Sequence, residues 1–192
     1  VGDAWLVKLD SNGLVEWQRA FGGADFDSAH AVVPLENGDY LASGAFVELD
    51  GNPDRHPDVY LLRVDAQGDL LWQKRYGDAD VEDVALAMKP IADGVILAGG
   101  RGYIPDAINY DPLLLAVDLD GNELWRRTLA SPANDEAFAI EPTLDGGFVI
   151  TGASNFTAID SQTLLIKTDA DGNTVPAPIT SKVTRIGSSR IT

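Results

Sequence analysis

Acidic side chains dominate the residues that could do chemistry in this chain. Asp25, Asp27, Asp54, Asp58, Asp78, Asp80, Glu82, Asp83, Asp106, Asp111 and Asp135 all fall in or beside segments that read as loops. Clustered carboxylate oxygens suit Ca²⁺ and other hard cations. Paired carboxylates also suit glycosidic cleavage, but so many acids are present that the sequence singles out no pair. Two segments, Asp118-x-Asp120-Gly121 and Asp169-x-Asp171-Gly172, open like a calcium-binding loop. A complete loop of that kind needs further ligands and a glutamate at its twelfth position. Two related copies, Asp10 to Gly13 and Asp65 to Gly68, carry Ser11-Asn12 and Ala66-Gln67 instead. Asp-x-x-Gly is turn chemistry in its own right. The turn reading is the expectation; Ca²⁺ is the one cofactor carried forward, and no metal site is assigned.

Other chemistries drop out quickly. The 192 residues include no cysteine, which removes disulfides, thiol catalysis and Cys-ligated metals. The two histidines, His30 and His56, stand 26 positions apart and make no metal-ligand spacing. No Gly-x-Ser-x-Gly elbow or phosphate-cradling glycine loop is present. The net charge of −16 opposes nucleic acid and anionic membrane surfaces. No apolar run approaches the roughly 20 residues that span a bilayer. A 45% hydrophobic and 23% charged composition is that of a globular chain.

The elements that must position these residues are repeats. Residues 3–17, 58–72 and 111–125 align without gaps, and 163–175 is a weaker copy. Their anchors Asp10, Asp65, Asp118 and Asp169 are separated by 55, 53 and 51 residues. Gly13, Gly68 and Gly121 follow three residues after the anchor, and Trp17, Trp72 and Trp125 seven after it. Pro176 takes the tryptophan position in the fourth copy. Between anchors, 27–44, 83–100 and 135–152 align as well, each opening on Asp27, Asp83 or Asp135. Gly44, Gly99 and Gly152 each lie 34 residues after an anchor.

Each unit reads as four short strands with no helical periodicity. The first is small and alternating, and an Asn-Gly or Asp-Gly turn leads to the second. The third is apolar on both faces, as in Tyr60-Leu61-Leu62 and Leu113-Leu114-Leu115. Such a strand must be covered on both faces, which stacking around an axis achieves. The expectation is an all-β chain, a β-propeller of four-stranded antiparallel blades of about 51–55 residues. About three and a half blades are present: a half blade at 3–23, then 24–77, 78–130 and 131–178. Residues 179–192 form a basic tail or a ring-closing strand; 176–192 hold Lys182, Arg185 and Arg190 and no acid. Either the tail completes a four-bladed ring, or the chain is part of a larger one. The second is preferred, because the tail matches the first-strand pattern poorly.

The Asp-x-x-Gly-x-x-x-Trp element resembles the repeat of bacterial and archaeal surface propellers of the quinoprotein-like class. That resemblance, over about residues 3–175, implies that the tryptophan docks one blade onto the next. It does not extend to quinone chemistry: one residue fewer separates Asp from Trp, and the vicinal cysteine pair is absent. The element also resembles the Asp-box hairpin of sialidases, without an assignable arginine cluster or tyrosine nucleophile.

In such a blade the loops after the second strand and the links between blades share one side. Here they are the long segments 45–57, 101–110 and 153–162, and long loops on a rigid scaffold concentrate function. Asp54, Arg55, His56, Arg101, Tyr103, Asp106 and Tyr110 are the candidate binding residues. Asp27, Asp83 and Asp135 recur once per blade, and capping of backbone N–H groups is the preferred role. Asn155-Phe156-Thr157 matches a glycosylation sequon. The expected function is a non-catalytic structural or interaction module, extracellular or at the cell surface, presenting its long-loop face to a protein, a glycan or a cation. Two rivals are a polysaccharide hydrolase or lyase using loop carboxylates, and a partial propeller that self-associates to complete its ring.

Overall fold

The computed structural model describes residues 2–47, 56–78, 81–103, 110–131, 134–154 and 162–174. Asp54, Arg55, Asp106, the sequon at 155–157 and the tail at 176–192 lie outside them. The described residues form thirteen strands: β1 (Ala4–Leu9), β2 (Val15–Phe21), β3 (Asp27–Pro34), β4 (Tyr40–Phe46), β5 (Asp58–Val64), β6 (Leu70–Tyr76), β7 (Val81–Ile91), β8 (Gly94–Tyr103), β9 (Tyr110–Val117), β10 (Glu123–Thr128), β11 (Asp135–Pro142), β12 (Phe148–Ser154) and β13 (Gln162–Thr168). They form four antiparallel sheets in chain order, β1-β2, β3-β4-β5-β6, β7-β8-β9-β10 and β11-β12-β13. The described fold is all-β, and each sheet is a run of neighbouring hairpins.

Alternation along the third strand explains its apolar sequence. In β5, Val59 and Leu61 enter the core shared with the third sheet. Tyr60, Leu62 and Val64 enter the core shared with the first. In β9, Leu113, Leu115 and Val117 face the second sheet, while Leu114 and Ala116 face the fourth. A central strand covered on both faces reads as a continuous hydrophobic run, and each sheet stacks on the next in sequence.

The aspartate hairpins are closed by their own carboxylates. Asp10 Oδ1 accepts from the N–H groups of Asn12 and Leu14, both at 2.8 Å. Asp65, Asp118 and Asp169 repeat the pattern with the residues two and four positions on. Gly13, Gly68, Gly121 and Gly172 hold φ between 76° and 82°, a left-handed conformation that glycine takes without strain.

The tryptophans dock one sheet onto the next hairpin. A Cβ on Gly68 would sit 2.8 Å from the Trp17 ring, one on Gly121 3.0 Å from Trp72, and one on Gly172 2.7 Å from Trp125. The Trp17 indole also donates to the Ala66 carbonyl at 3.0 Å. In the next sheet the matching carbonyl, Leu119 O, accepts from Arg63 at 2.9 Å, and the Trp72 Nε1 has no partner. Tyr76 adds a hydrogen bond to the Gly121 carbonyl at 2.7 Å.

A bulge recurs in the first strand. The register shifts between Ala29 and Ala31, Ala85 and Ala87, and Ala137 and Ala139. Gly44, Gly99 and Gly152 pair with the alanine just before each shift. A Cβ on them would strike the carbonyl oxygens of Ser28, Val84 and Glu136. The repeated glycine is therefore a requirement of close backbone approach.

Candidate functional site

Strand register assigns the two ends of each sheet. Asp27 pairs with Phe46 and Phe46 with Asp58; Asp83 pairs with Arg101 and Arg101 with Asp111; Asp135 pairs with Ser154 and Ser154 with Gln162. First-strand starts, second-strand ends and third-strand starts thus lie together, opposite the Asp-x-x-Gly hairpins. This is the end that the long loops join.

Asp27, Asp83 and Asp135 are all buried here. Asp27 caps as expected, accepting from Gly23 N at 2.6 Å and Val47 N at 3.2 Å. Asp83 departs from that expectation. Arg101 Nη1 donates to its two oxygens at 3.3 and 3.2 Å, and Arg126 Nη1 lies 4.0 Å away. Arg101 Nη2 also binds Asp78, and Arg126 Nη2 binds Glu123 at 3.0 Å. Five charges form a cluster at the end of the third sheet. Burial pushes the Asp83 carboxyl up to about 6, against the pull of Arg101 and Arg126. Hydrogen bonding to Arg101 holds Asp78 below the usual carboxylate range. The Arg126 Nε is buried without a partner.

The opposite face of the same sheet carries a second cluster. Tyr110 donates its hydroxyl to Glu82 at 2.5 Å, and its backbone N–H donates to Asn134 Oδ1 at 3.2 Å. Glu136 lies over Gly100, where a Cβ would meet its Oε1 at 3.2 Å and the Tyr110 ring at 3.3 Å. A Cβ on Gly102 would press the same ring at 2.8 Å. Two glycines thus form a floor that lets the phenol and both glutamates converge. Burial, and then the nearby Glu82 charge, raise the Glu136 carboxyl above its ordinary value. Burial, followed by Glu82, raises the Tyr110 phenol.

Of the seven candidate binding residues, Arg101 and Tyr110 enter these clusters, on opposite faces of one sheet. His56 is partly exposed just before β5. Tyr103 ends β8, and its side chain lies outside the described residues. Asp54, Arg55 and Asp106 also fall outside them. Sequence reasoning missed Arg126 and Glu136. The available signal was departure from the repeat: Arg101 stands where the other units have Phe46 and Ser154, and Arg126 where they have Gln18 and Gln73. His30 is the extra residue of the first bulge. Its Nδ1 lies 3.0 Å from the Ala85 carbonyl, and its Nε2 3.0 Å from Ser28 Oγ. A carbonyl only accepts, so Nδ1 carries the proton and the ring ties two sheets together.

Two properties limit the chemistry. The Asp83 carboxylate is enclosed and held by arginine, so it meets no solvent-borne substrate. Among the described residues no group of three His, Asp or Glu side chains is arranged to hold a metal ion. The Glu82–Tyr110–Glu136 cluster offers acceptors to a cation or a hydroxyl-bearing ligand.

No family model matches the chain. It is 27% identical over 206 aligned positions, 96% of its own length, to the regulatory protein FlaEY of Caulobacter vibrioides. The chain spans about a fifth of that protein, 20% of its length.

Proposed function

We propose that this chain is a run of β-propeller blades acting as a non-catalytic interaction module, which presents its long-loop face to a cationic or glycan-bearing partner. The observation that carries the reading is the equivalence of its units. Hairpin carboxylates, docked tryptophans and bulge glycines recur in register, each explained by packing or turn closure. Among the described residues the asymmetry of the face is confined to the third sheet, where half-buried acids gather around Tyr110. Stacking of four-stranded sheets through the tryptophans supports the propeller arrangement. The likeness to a protein called regulatory favours a role in recognition over turnover. Acidity and the absence of cysteine are compatible with a place at the cell surface. Ca²⁺ is the cation proposed for the face.

The enzymatic reading asks for one asymmetric titratable group, and Asp83 is one. Its enclosure by Arg101 and Arg126 favours a structural role.

Titration with a lysine-rich peptide and a panel of neutral oligosaccharides tests the reading. Saturable binding is expected, weakened severalfold by Glu136→Gln and unchanged by Asp120→Asn at the hairpin end. Oligosaccharide cleavage that depends on Asp83 would overturn it.

A further inference from the structure

We propose that Glu82, Tyr110 and Glu136 form a proton-sensitive clasp between the third and fourth sheets, closed when Glu136 is protonated and loosened when both glutamates are ionised. Strand register brings the three together. Glu82 pairs with Gly102, and Gly102 with Tyr110. The phenol therefore crosses a position without a side chain to donate to Glu82 at 2.5 Å. One row along the same face, Gly100 pairs with Val84, and Glu136 of β11 reaches over it. A Cβ on Gly100 would lie 3.2 Å from Glu136 Oε1 and 3.3 Å from the Tyr110 ring. A single point thus touches both the Glu136 carboxyl and the ring that holds Glu82.

The arrangement is a departure from the repeat. Between the second and third sheets, Phe26, Pro57 and Val84 hold the positions of Glu82, Tyr110 and Glu136. Ala45 and Val47 stand where the third sheet has Gly100 and Gly102. One interface carries no ionisable group at these positions. The next carries three, with two glycines that make room for them.

The groups around Glu136 fix the sign of the effect. From β7 it meets Glu82, from β9 the Tyr110 hydroxyl, and from β8 only the two glycines. On β11 the neighbouring Asp135 is buried, and Asn134, which accepts from the Tyr110 N–H, is neutral. Arg101 and Arg126 lie with Asp83 on the opposite face of the third sheet. Arg127 is turned to the Trp125 ring and the Gly172 hairpin. Among the described residues, then, no cation offsets two half-buried carboxylates. Burial and like charge both favour a proton on Glu136, in keeping with its raised carboxyl. The protonated acid removes the repulsion and brings an O–H donor to the interface. Ionisation restores the repulsion and presses the starts of β7, β9 and β11 apart. The stabilising contribution is therefore present in acid and lost as pH rises through the folded-state value. The inference concerns the packing of two sheets and not the binding of a partner, so either can fail alone.

The test compares the intact chain with Glu136→Gln, Glu82→Gln and Asp83→Asn from pH 5 to pH 8. Two quantities are read: the urea midpoint, and amide exchange at the starts of β9 and β11 corrected for intrinsic rates. In the parent, protection at these amides should fall severalfold as pH rises. Glu136→Gln, neutral throughout, should keep its protection at every pH and show a higher midpoint than the parent at pH 8. Glu82→Gln should shrink the pH dependence. Asp83→Asn, on the other face, should leave it in place at these amides. Protection that does not change with pH in the parent, or that falls equally in Glu136→Gln, would overturn the proposal. So would a Glu136→Gln chain less stable than the parent at pH 8, because the ionised carboxylate would then be what holds the sheets together.

Discussion

Single residues in this chain are constrained by backbone contact more than by reactivity. Gly99 sits where any Cβ meets the Val84 carbonyl. Gly99→Ala should therefore cost about 2–4 kcal/mol, read as a lower urea midpoint. Gly146 is a useful contrast: its φ of 84° disfavours alanine, but nothing lies near its missing Cβ, so Gly146→Ala should cost only about 1 kcal/mol. Asp83 carries the pH prediction. Its carboxyl is raised to about 6 in the folded chain by burial, against about 3.9 when unfolded. Between those values the native state binds more protons, so its contribution to stability is present below about pH 4 and lost as pH rises through 6. The stability of the parent relative to Asp83→Asn should accordingly fall between pH 4 and pH 7. A flat difference would show an unperturbed group. The recurrence of Asp27, Asp83 and Asp135 was readable from spacing alone. The burial of all three agrees with a structural role, but the arginine pair around Asp83 was not readable. Arg101 and Arg126 are 25 positions apart, and only strand register brings both to one carboxylate.

At the scale of the element, hairpins and tryptophans form one device. The carboxylate closes the turn, the left-handed glycine leaves space above it, and the preceding sheet's indole fills that space. Trp72→Ala should remove the contact with the Gly121 hairpin and cost about 3 kcal/mol, with the third sheet losing protection first. Asp118→Ala should lower stability, because two N–H groups lose their acceptor. That penalty should be the same with Ca²⁺ or with a chelator, read as the melting temperature. A calcium-dependent penalty would give the hairpin a metal role that its inward-turned oxygens do not suggest. Strand identity and order were legible because the repeat fixes both and alternation marks the faces. The bulges were not, since an extra residue in a small, alternating strand leaves no mark on composition. The third-strand pattern also misled in part: β1 and β13 read as doubly covered, yet Trp5, Leu9 and Leu165 are exposed.

At the scale of the whole molecule, those exposures fall, among the described residues, on the first and fourth sheets. Among the described residues nothing covers Trp5 and Leu9 of the first sheet or Leu165 of the fourth, while the Leu165 equivalents Leu61 and Leu114 are fully enclosed. Apolar surface of this kind marks a docking surface more often than bare solvent contact. Amide hydrogen exchange compared across β1, β5 and β9 tests this most directly, because the three strands share one sequence pattern and differ only in neighbours. The account predicts slow exchange throughout β5 and β9. In β1, which pairs with β2 alone among the described residues, alternate amides facing away from β2 should exchange orders of magnitude faster. Protection of β1 equal to that of β5 and β9 in the chain alone would contradict it, because the edge would already be covered.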